Sequence, residues 1–187
     1  FMPLSYGGGI TNIEEVKKLF YFGYEKVIFN TSFINNQSLI KHAVEFAGSS
    51  SIVVSIDVKN DLFSKKHCYT KDGSEKVKEN AVQLAQQAET LGAGEILLTS
   101  ISHDGMMDGY DLELVEEVSK SVSIPVIANG GAKDAEDFKK VLRVGAHAAA
   151  ASSVFVFYGK QKAVLITAPS EEELIKIGIY NNNSGGI

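Results

Sequence analysis

Two glycine pairs in this chain are each followed, at the same distance, by a pair of small polar residues. Gly8-Gly9 precedes Asn30-Thr31, and Gly130-Gly131 precedes Ser152-Ser153. Glycines let backbone N–H groups approach a phosphate closely, and hydroxyl and amide side chains add hydrogen-bond donors. A lone glycine pair is more typical of a turn, but the shared polar partners favour phosphate binding in both copies. We name these groups the first cup (Gly9, Asn30 and Thr31) and the second cup (Gly131, Ser152 and Ser153). Two cups at one end of a fold suit a long substrate with a phosphate at each end.

Two acidic positions are candidates for proton transfer. Asp57 lies at the end of an otherwise apolar run, where β/α-barrel enzymes place catalytic groups. Its alternative role is to cap the strand end or to form a salt bridge with Lys59. Asp104-Gly105 lies in a turn-rich loop, and such a pair by itself indicates only a turn.

Lys26 and Glu95 each begin a predicted strand, so we expect them at the opposite end of the sheet from Asp57. The residue types alone favour a surface ion pair, which is worth less than about 1 kcal/mol. His103 could titrate near neutral pH, but a single loop histidine does not indicate catalysis. No group of residues has the spacing of a metal site or of a nucleophilic triad.

Short apolar, β-branched runs alternate with longer helical patterns along the whole chain. Strands of this kind, nearly unbroken in apolarity, are typical of a parallel sheet that is buried on both faces. The predicted strands lie near Met2–Ser5, Lys26–Asn30, Ile52–Val58, Glu95–Thr99, Pro125–Ala128 and Ala148–Ala151. The predicted helices lie near Ile13–Phe22, Ser38–Ala47, Lys76–Leu91, Leu112–Val122, Ala135–Val144 and Ser170–Ile177.

Six strands alternating with helices fit either an open doubly wound sheet or a (β/α)8 barrel. The repeat favours the barrel, because a duplicated half-barrel places its two copies four strands apart. A complete TIM barrel needs about 250 residues, so we expect this chain to cover about six of the eight β/α units, with the N-terminal two missing. We predict one domain over residues 1–180, a polar hairpin within 60–74 and a disordered tail at 181–187.

The composition excludes several other classes of protein. The chain has 187 residues, of which 44% are hydrophobic and 22% are charged, as in an ordinary globular domain. A net charge of −5 without a basic cluster argues against a nucleic-acid partner. The single cysteine, Cys68, excludes an intramolecular disulfide and suits a reducing compartment. The apolar run Ala148–Tyr158 is too short to span a bilayer, so we expect a cytoplasmic protein without a membrane partner.

Several segments of the chain are specific enough to indicate a family. They are Tyr6-Gly7-Gly8-Gly9-Ile10, Ser55-Ile56-Asp57, the run from Gly92 to Ser100, Asp104-Gly105 with Gly109-Tyr110-Asp111, and Gly130-Gly131. At these segments, within a region from Pro3 to about Gly159, the chain resembles the cyclase subunit of imidazole glycerol phosphate synthase, of histidine biosynthesis.

The resemblance implies a lyase-type cyclisation. Ammonia from a glutaminase partner attacks a bis-phosphorylated aminoimidazole carboxamide ribotide, and the products are imidazole glycerol phosphate and an aminoimidazole carboxamide ribotide. The family uses two aspartates as general acid and base; Asp57 matches one, and the other belongs to a strand expected upstream of Phe1. Lys26 and Glu95 match residues that gate the entry of ammonia. No metal or redox cofactor is implied. The phosphate-binding residues implied are Gly9, Asn30, Thr31, Asp104, Gly105, Gly131, Ser152 and Ser153.

Some residues depart from the family pattern. Ser102-His103 replaces an acidic-basic pair, and Asn129 replaces a usual serine. Residues 154–159 and 163–166 also resemble paralogues of the cyclase that channel ammonia for sugar amidation in surface-polysaccharide biosynthesis. We therefore keep that function as an alternative to the cyclase, and a non-catalytic phosphate-binding scaffold as a further one.

Overall fold

The computed structural model describes residues 2–158 and 163–179. Within these ranges the chain forms ten strands and eight helices, together with one turn of 3-10 helix at Ser49–Ser51. The strands are β1 (Ser5–Gly7), β2 (Lys26–Phe29), β3 (Ile52–Asn60), β4 (Lys66–Thr70), β5 (Glu75–Lys76), β6 (Glu95–Ser100), β7 (Val126–Asn129), β8 (Ala148–Ala150), β9 (Phe157–Tyr158) and β10 (Ala163–Val164). The helices are α1 (Ile13–Tyr21), α2 (Thr31–Asn35), α3 (Gln37–Ala47), α4 (Ala81–Thr90), α5 (Leu112–Ser119), α6 (Ala135–Arg143), α7 (Ser153–Val156) and α8 (Glu171–Lys176).

Six strands form one parallel sheet in the order β1-β2-β3-β6-β7-β8. Apart from the hairpin strands β4 and β5, these are consecutive along the chain, and helices connect them, as in a β/α barrel. The prediction of a partial (β/α)8 barrel is therefore confirmed. β3 is longer than its neighbours, and its last four residues pair antiparallel with β4. This hairpin is the predicted polar insertion, and it extends the sheet beyond the carboxyl ends of the other strands.

Burial alternates along the central strands. In β6, Ile96 and Leu98 are fully buried and belong to one apolar cluster with residues of α4 and α5, such as Leu84 and Val115. The alternate residue Leu97 is half-buried, and it lines cavities on the other face of the sheet. Since successive strand residues point to opposite faces, one face holds the core under the helices. The other face carries the side chains that can meet a ligand.

The sequence repeat is also a structural repeat, because the two copies of the β-α-β unit begin their helices in the same way. The Asn12 side chain accepts the Glu15 N–H at the start of α1, at 3.1 Å. Asp134 accepts the N–H of Asp137 at the start of α6, at 3.3 Å. The carboxylates of Glu15 and Asp137 in turn accept backbone N–H groups four residues upstream, at 2.7 and 3.1 Å. Both helices are therefore held by a reciprocal cap.

Two of the predicted elements have wrong boundaries. The first strand is Ser5–Gly7 rather than Met2–Ser5, since pairing with β2 begins at Ser5 and Pro3 has no N–H to donate to a ladder. The helix predicted at Lys76–Leu91 begins only at Ala81, because Lys76 ends β5 and Asn80 forms a capping box with Gln83. The other predicted elements agree within a few residues. The tail predicted at 181–187 lies outside the described residues.

The short helices α2 and α7 were not predicted, because the polar residues of both cups suggested loops. Each helix begins at the second polar residue of its cup, Thr31 or Ser153.

Among the helices that the structure describes, none is long and apolar enough to cross a membrane.

Candidate functional site

The first cup borders an open cavity of about 590 Å³ at the carboxyl end of the parallel strands. Its wall includes every residue of the first cup together with Asp57. Residues that line this cavity include Gly8, Gly9, Thr11, Asn30, Thr31, Ser32, Ser55, Asp57, Lys71 and Asp72.

The backbone of the first cup depends on its glycines. Gly8 and Gly9 have φ angles of +112° and +69°, which a residue with a Cβ rarely adopts. Nothing lies within 4 Å of where a Cβ would stand on either glycine, so the backbone here is open to a ligand. Asn30 Nδ2 donates to the carbonyl oxygen of Ser55, at 3.1 Å, which fixes the end of β2 against β3.

Asp57 lies on β3 beside the first cup. Ser55 Oγ donates a hydrogen bond of 2.9 Å to Asp57 Oδ1. Burial raises the pKa of Asp57, and the negative charges of Asp72 and Asp104 act in the same direction, whereas hydrogen bonds from Ser55 and Thr99 oppose the shift. A carboxyl group with a raised pKa can hold or release a proton closer to neutral pH, which is what a general acid or base requires.

The second cup is much narrower than the first. Its cavity of about 10 Å³ has room for about one water molecule. Gly109 donates its N–H to the carbonyl oxygen of Gly131, at 2.8 Å. A Cβ on Gly131 would lie 2.1 Å from the Gly109 oxygen, so only glycine fits there. The cavity is lined by Asp104, Gly105, Asn129, Gly130, Gly131, Ala132, Ala151, Ser152 and Ser153.

The loop after β6 closes the second cup, and hydrogen bonds fix its shape. His103 Nδ1 and Ser100 Oγ lie 2.8 Å apart. Asp104 donates its N–H to the Ser100 carbonyl oxygen at 3.0 Å, which leaves the exposed Asp104 carboxylate beside the cup. Ser102 Oγ accepts the N–H of Asn60 at 2.9 Å and so links this loop to β3.

Lys26 and Glu95 form an ion pair at the starts of β2 and β6. Both line a separate cavity of about 230 Å³ with Ser5, Val53 and Ile127. In the ladder between β3 and β6, Glu95 pairs with Val53 and Thr99 pairs with Asp57. Four residues of strand therefore separate the ion pair from Asp57, or about 13 Å. Glu95 Oε2 is buried and has no hydrogen-bond partner among the described residues.

The structure thus sorts the predicted residues into three groups. Asp57 joins the first cup, Asp104 and Gly105 join the second cup, and Lys26 and Glu95 lie at the opposite end of the sheet. Sequence reasoning missed Lys71 and Asp72, which line the first cavity from the turn after β4. The residues Lys71-Asp72-Gly73 indicate a turn, but they give no signal of where that turn lies.

Cys68 takes no part in this chemistry. Its side chain is buried, and burial together with the charges of Asp57 and Glu79 raises the pKa of its thiol to about 12. Such a thiol stays protonated at neutral pH and is a poor nucleophile.

Comparison with known proteins gives a consistent result. Residues 1–162 match the family described as histidine biosynthesis protein. Subunit HisF of imidazole glycerol phosphate synthase from Petrotoga mobilis is 41% identical over 180 residues, or 96% of this chain and 69% of that protein. The corresponding subunit from Sulfurisphaera tokodaii is 48% identical over 156 residues, or 82% of this chain and 61% of that protein. The subunit from Thermococcus onnurineus is 42% identical over 161 residues, or 86% of this chain and 63% of that protein.

Proposed function

The chain belongs to the histidine biosynthesis protein family, and we propose that it acts as the cyclase subunit of an imidazole glycerol phosphate synthase. Its relatives named above all carry the name of that synthase, which favours the cyclase over the sugar-amidation function. The cyclase is a lyase-type enzyme that uses ammonia to convert a bis-phosphorylated ribotide to imidazole glycerol phosphate and an aminoimidazole carboxamide ribotide.

The position of Asp57 is the observation that supports this proposal most strongly. The carboxyl group lies at the wall of the first cavity, and burial raises its pKa. In the proposed reaction Asp57 moves a proton to or from the substrate as it cyclises. A general acid or base must lie within hydrogen-bond reach of the reacting atom, and an open cavity of about 590 Å³ leaves room for a substrate beside Asp57.

The two cups hold the phosphates of the substrate. In the first cup, the backbone N–H groups near Gly9 and the Thr31 hydroxyl act as donors. In the second cup, Gly131, Ser152 and Ser153 have the same role, with Asp104 and Gly105 at the rim.

A glutaminase subunit supplies the ammonia. The ammonia enters at the end of the sheet opposite to Asp57. Lys26 and Glu95 line the cavity there and form an ion pair, which supports their assignment as the gate. The unpartnered Glu95 Oε2 supports this role, since a buried carboxylate oxygen can accept a hydrogen bond from ammonia or ammonium as it passes.

Replacement of the proton-transfer group tests the proposal. We expect Asp57→Asn to lower turnover with free ammonia by about 10²- to 10⁴-fold, while phosphate binds at least as tightly as to the wild type, because one negative charge has left the first cavity. Glu117→Gln, an exposed substitution on α5, is the matched control with the same loss of a carboxylate. If Asp57→Asn turns over the ribotide as fast as the control, then Asp57 has only a structural role.

A further inference from the structure

We propose that Lys71 supplies the positive charge that the first cup needs for a phosphate, and that Glu75 holds this lysine when no phosphate is bound. The inference rests on phosphate binding at the first cup, which belongs to the proposed function. It assigns a binding role to a residue of the hairpin after β3, outside the repeated unit.

The charges around the first cavity indicate a role for a cation. Three of its lining residues are charged: Asp57, Asp72 and Lys71. A phosphate ester carries a charge of about −1.5 to −2 at neutral pH, and two carboxylates in the same cavity repel it. Backbone N–H groups and hydroxyls add partial charges but no net charge. Lys71 is therefore the residue of this lining that can offset the charge of the ligand.

Contacts hold Lys71 at the cup. Its backbone N–H donates to Thr31 Oγ1 at 3.3 Å, so the turn between β4 and β5 reaches a residue of the first cup. Lys71 and Asp72 both have left-handed backbones, with φ angles of +50° and +57°. Residues other than glycine rarely adopt this conformation, and those that do are frequent at ligand sites.

The side chain of Lys71 is held only weakly. Lys71 Nζ lies 2.6 Å from Glu75 Oε2, and the two side chains are 58% and 55% exposed. Exposed ion pairs of this kind contribute little stability. A phosphate oxygen offers a stronger, charge-assisted hydrogen bond. Lys71 can therefore exchange Glu75 for phosphate when a ligand enters the cavity.

Titration with inorganic phosphate, followed by NMR at the backbone amides of Gly9 and Gly131, tests the inference. We expect Lys71→Met to weaken phosphate binding about tenfold at Gly9, the loss of one charge-assisted hydrogen bond, and to leave binding at Gly131 unchanged. Glu75→Gln should tighten binding at Gly9 about twofold, because the lysine loses its competing partner. Lys76→Met is the control, since it removes a charge from the same hairpin outside the cavity lining.

The possible results separate the two proposals. If wild-type Gly9 responds to phosphate and Lys71→Met binds as tightly as Lys76→Met, the inference about Lys71 is overturned while phosphate binding at the first cup stands. If the wild-type Gly9 amide does not respond to phosphate, both proposals fail. Lys71→Arg keeps the charge and should bind within a factor of a few of the wild type, which separates loss of charge from damage to the turn.

Discussion

Ser55 and Asp57 lie two residues apart on the same face of β3, and Ser55 Oγ donates to Asp57 Oδ1 at 2.9 Å. The geometry follows from the strand, because residues i and i+2 point to the same side of a sheet. A hydrogen bond to a carboxylate favours its charged form, whereas burial favours the neutral form. Ser55 therefore limits how far burial raises the pKa of Asp57, and it fixes the orientation of the carboxyl group.

In the proposed reaction, one limb of the pH–rate profile reports the ionisation of Asp57. We predict that Ser55→Ala moves this limb to higher pH. The variant lacks a hydrogen bond that lowers the pKa of Asp57, so burial acts with less opposition. The measurement is the rate with free ammonia as a function of pH. Ser55→Thr keeps a hydroxyl and should move the limb less. A profile that Ser55→Ala leaves in place would mean that Ser55 does not act on Asp57.

We also predict that Asp57→Asn stabilises the protein at pH 7. Above the ordinary pKa of an aspartate, the carboxyl group is ionised in the unfolded chain, but in the folded protein its ionisation is opposed by burial. The wild type therefore loses stability as the pH rises from the unfolded pKa through the raised folded pKa, and the asparagine does not. Urea unfolding of both proteins at pH 7 and near pH 3 measures the difference. The gain in the free energy of unfolding should disappear at the lower pH, and an equal gain at both would point to altered packing instead.

The sequence repeat predicted the parts of the site that each β-α-β unit builds for itself. Asn30 and Ser152 occupy equivalent positions, and their φ angles are −123° and −127°. The sequence predicts the strand ends that carry the two cups, and it predicts the position of Asp57. Both features depend on local patterns, namely glycines, an apolar run and a polar residue at the end of that run.

The rest of the site depends on contacts between distant residues. Lys71 reaches Thr31 across 40 positions of the chain, and no local pattern encodes that approach. The closure of the second cup likewise depends on Gly109 and Gly131, which come from two different loops.

Within the part of the chain that the structure describes, the surroundings of two equivalent glycines predict unequal costs for the same substitution. Gly9 and Gly131 occupy matching positions with φ angles of +69° and +104°. Gly9→Ala adds a methyl group to open space and should cost about 1 kcal/mol, from its backbone conformation. Gly131→Ala places a Cβ 2.1 Å from the Gly109 oxygen and should cost about 2 to 4 kcal/mol, from conformation and overpacking together. Urea unfolding of the two variants measures both costs, and equal costs would contradict the closed form of the second cup.

The final prediction concerns the ion pair of Lys26 and Glu95. If this pair gates ammonia, a variant that alters it should affect glutamine-dependent turnover far more than turnover with free ammonia, because the pair lies about 13 Å from Asp57 along the strands. Lys26→Met removes the charge and keeps most of the apolar stem. It also leaves the Glu95 carboxylate without its cation. The double variant Lys26→Met with Glu95→Gln removes both charges, so it shows the effect of losing the gate without the effect of an unpaired carboxylate. Lys17→Met, on the exposed face of α1, is the control. Both gate variants, assayed with the glutaminase subunit, should give a changed ratio of glutamine-dependent to ammonia-dependent rates. Equal losses in the two assays would assign the ion pair to stability alone.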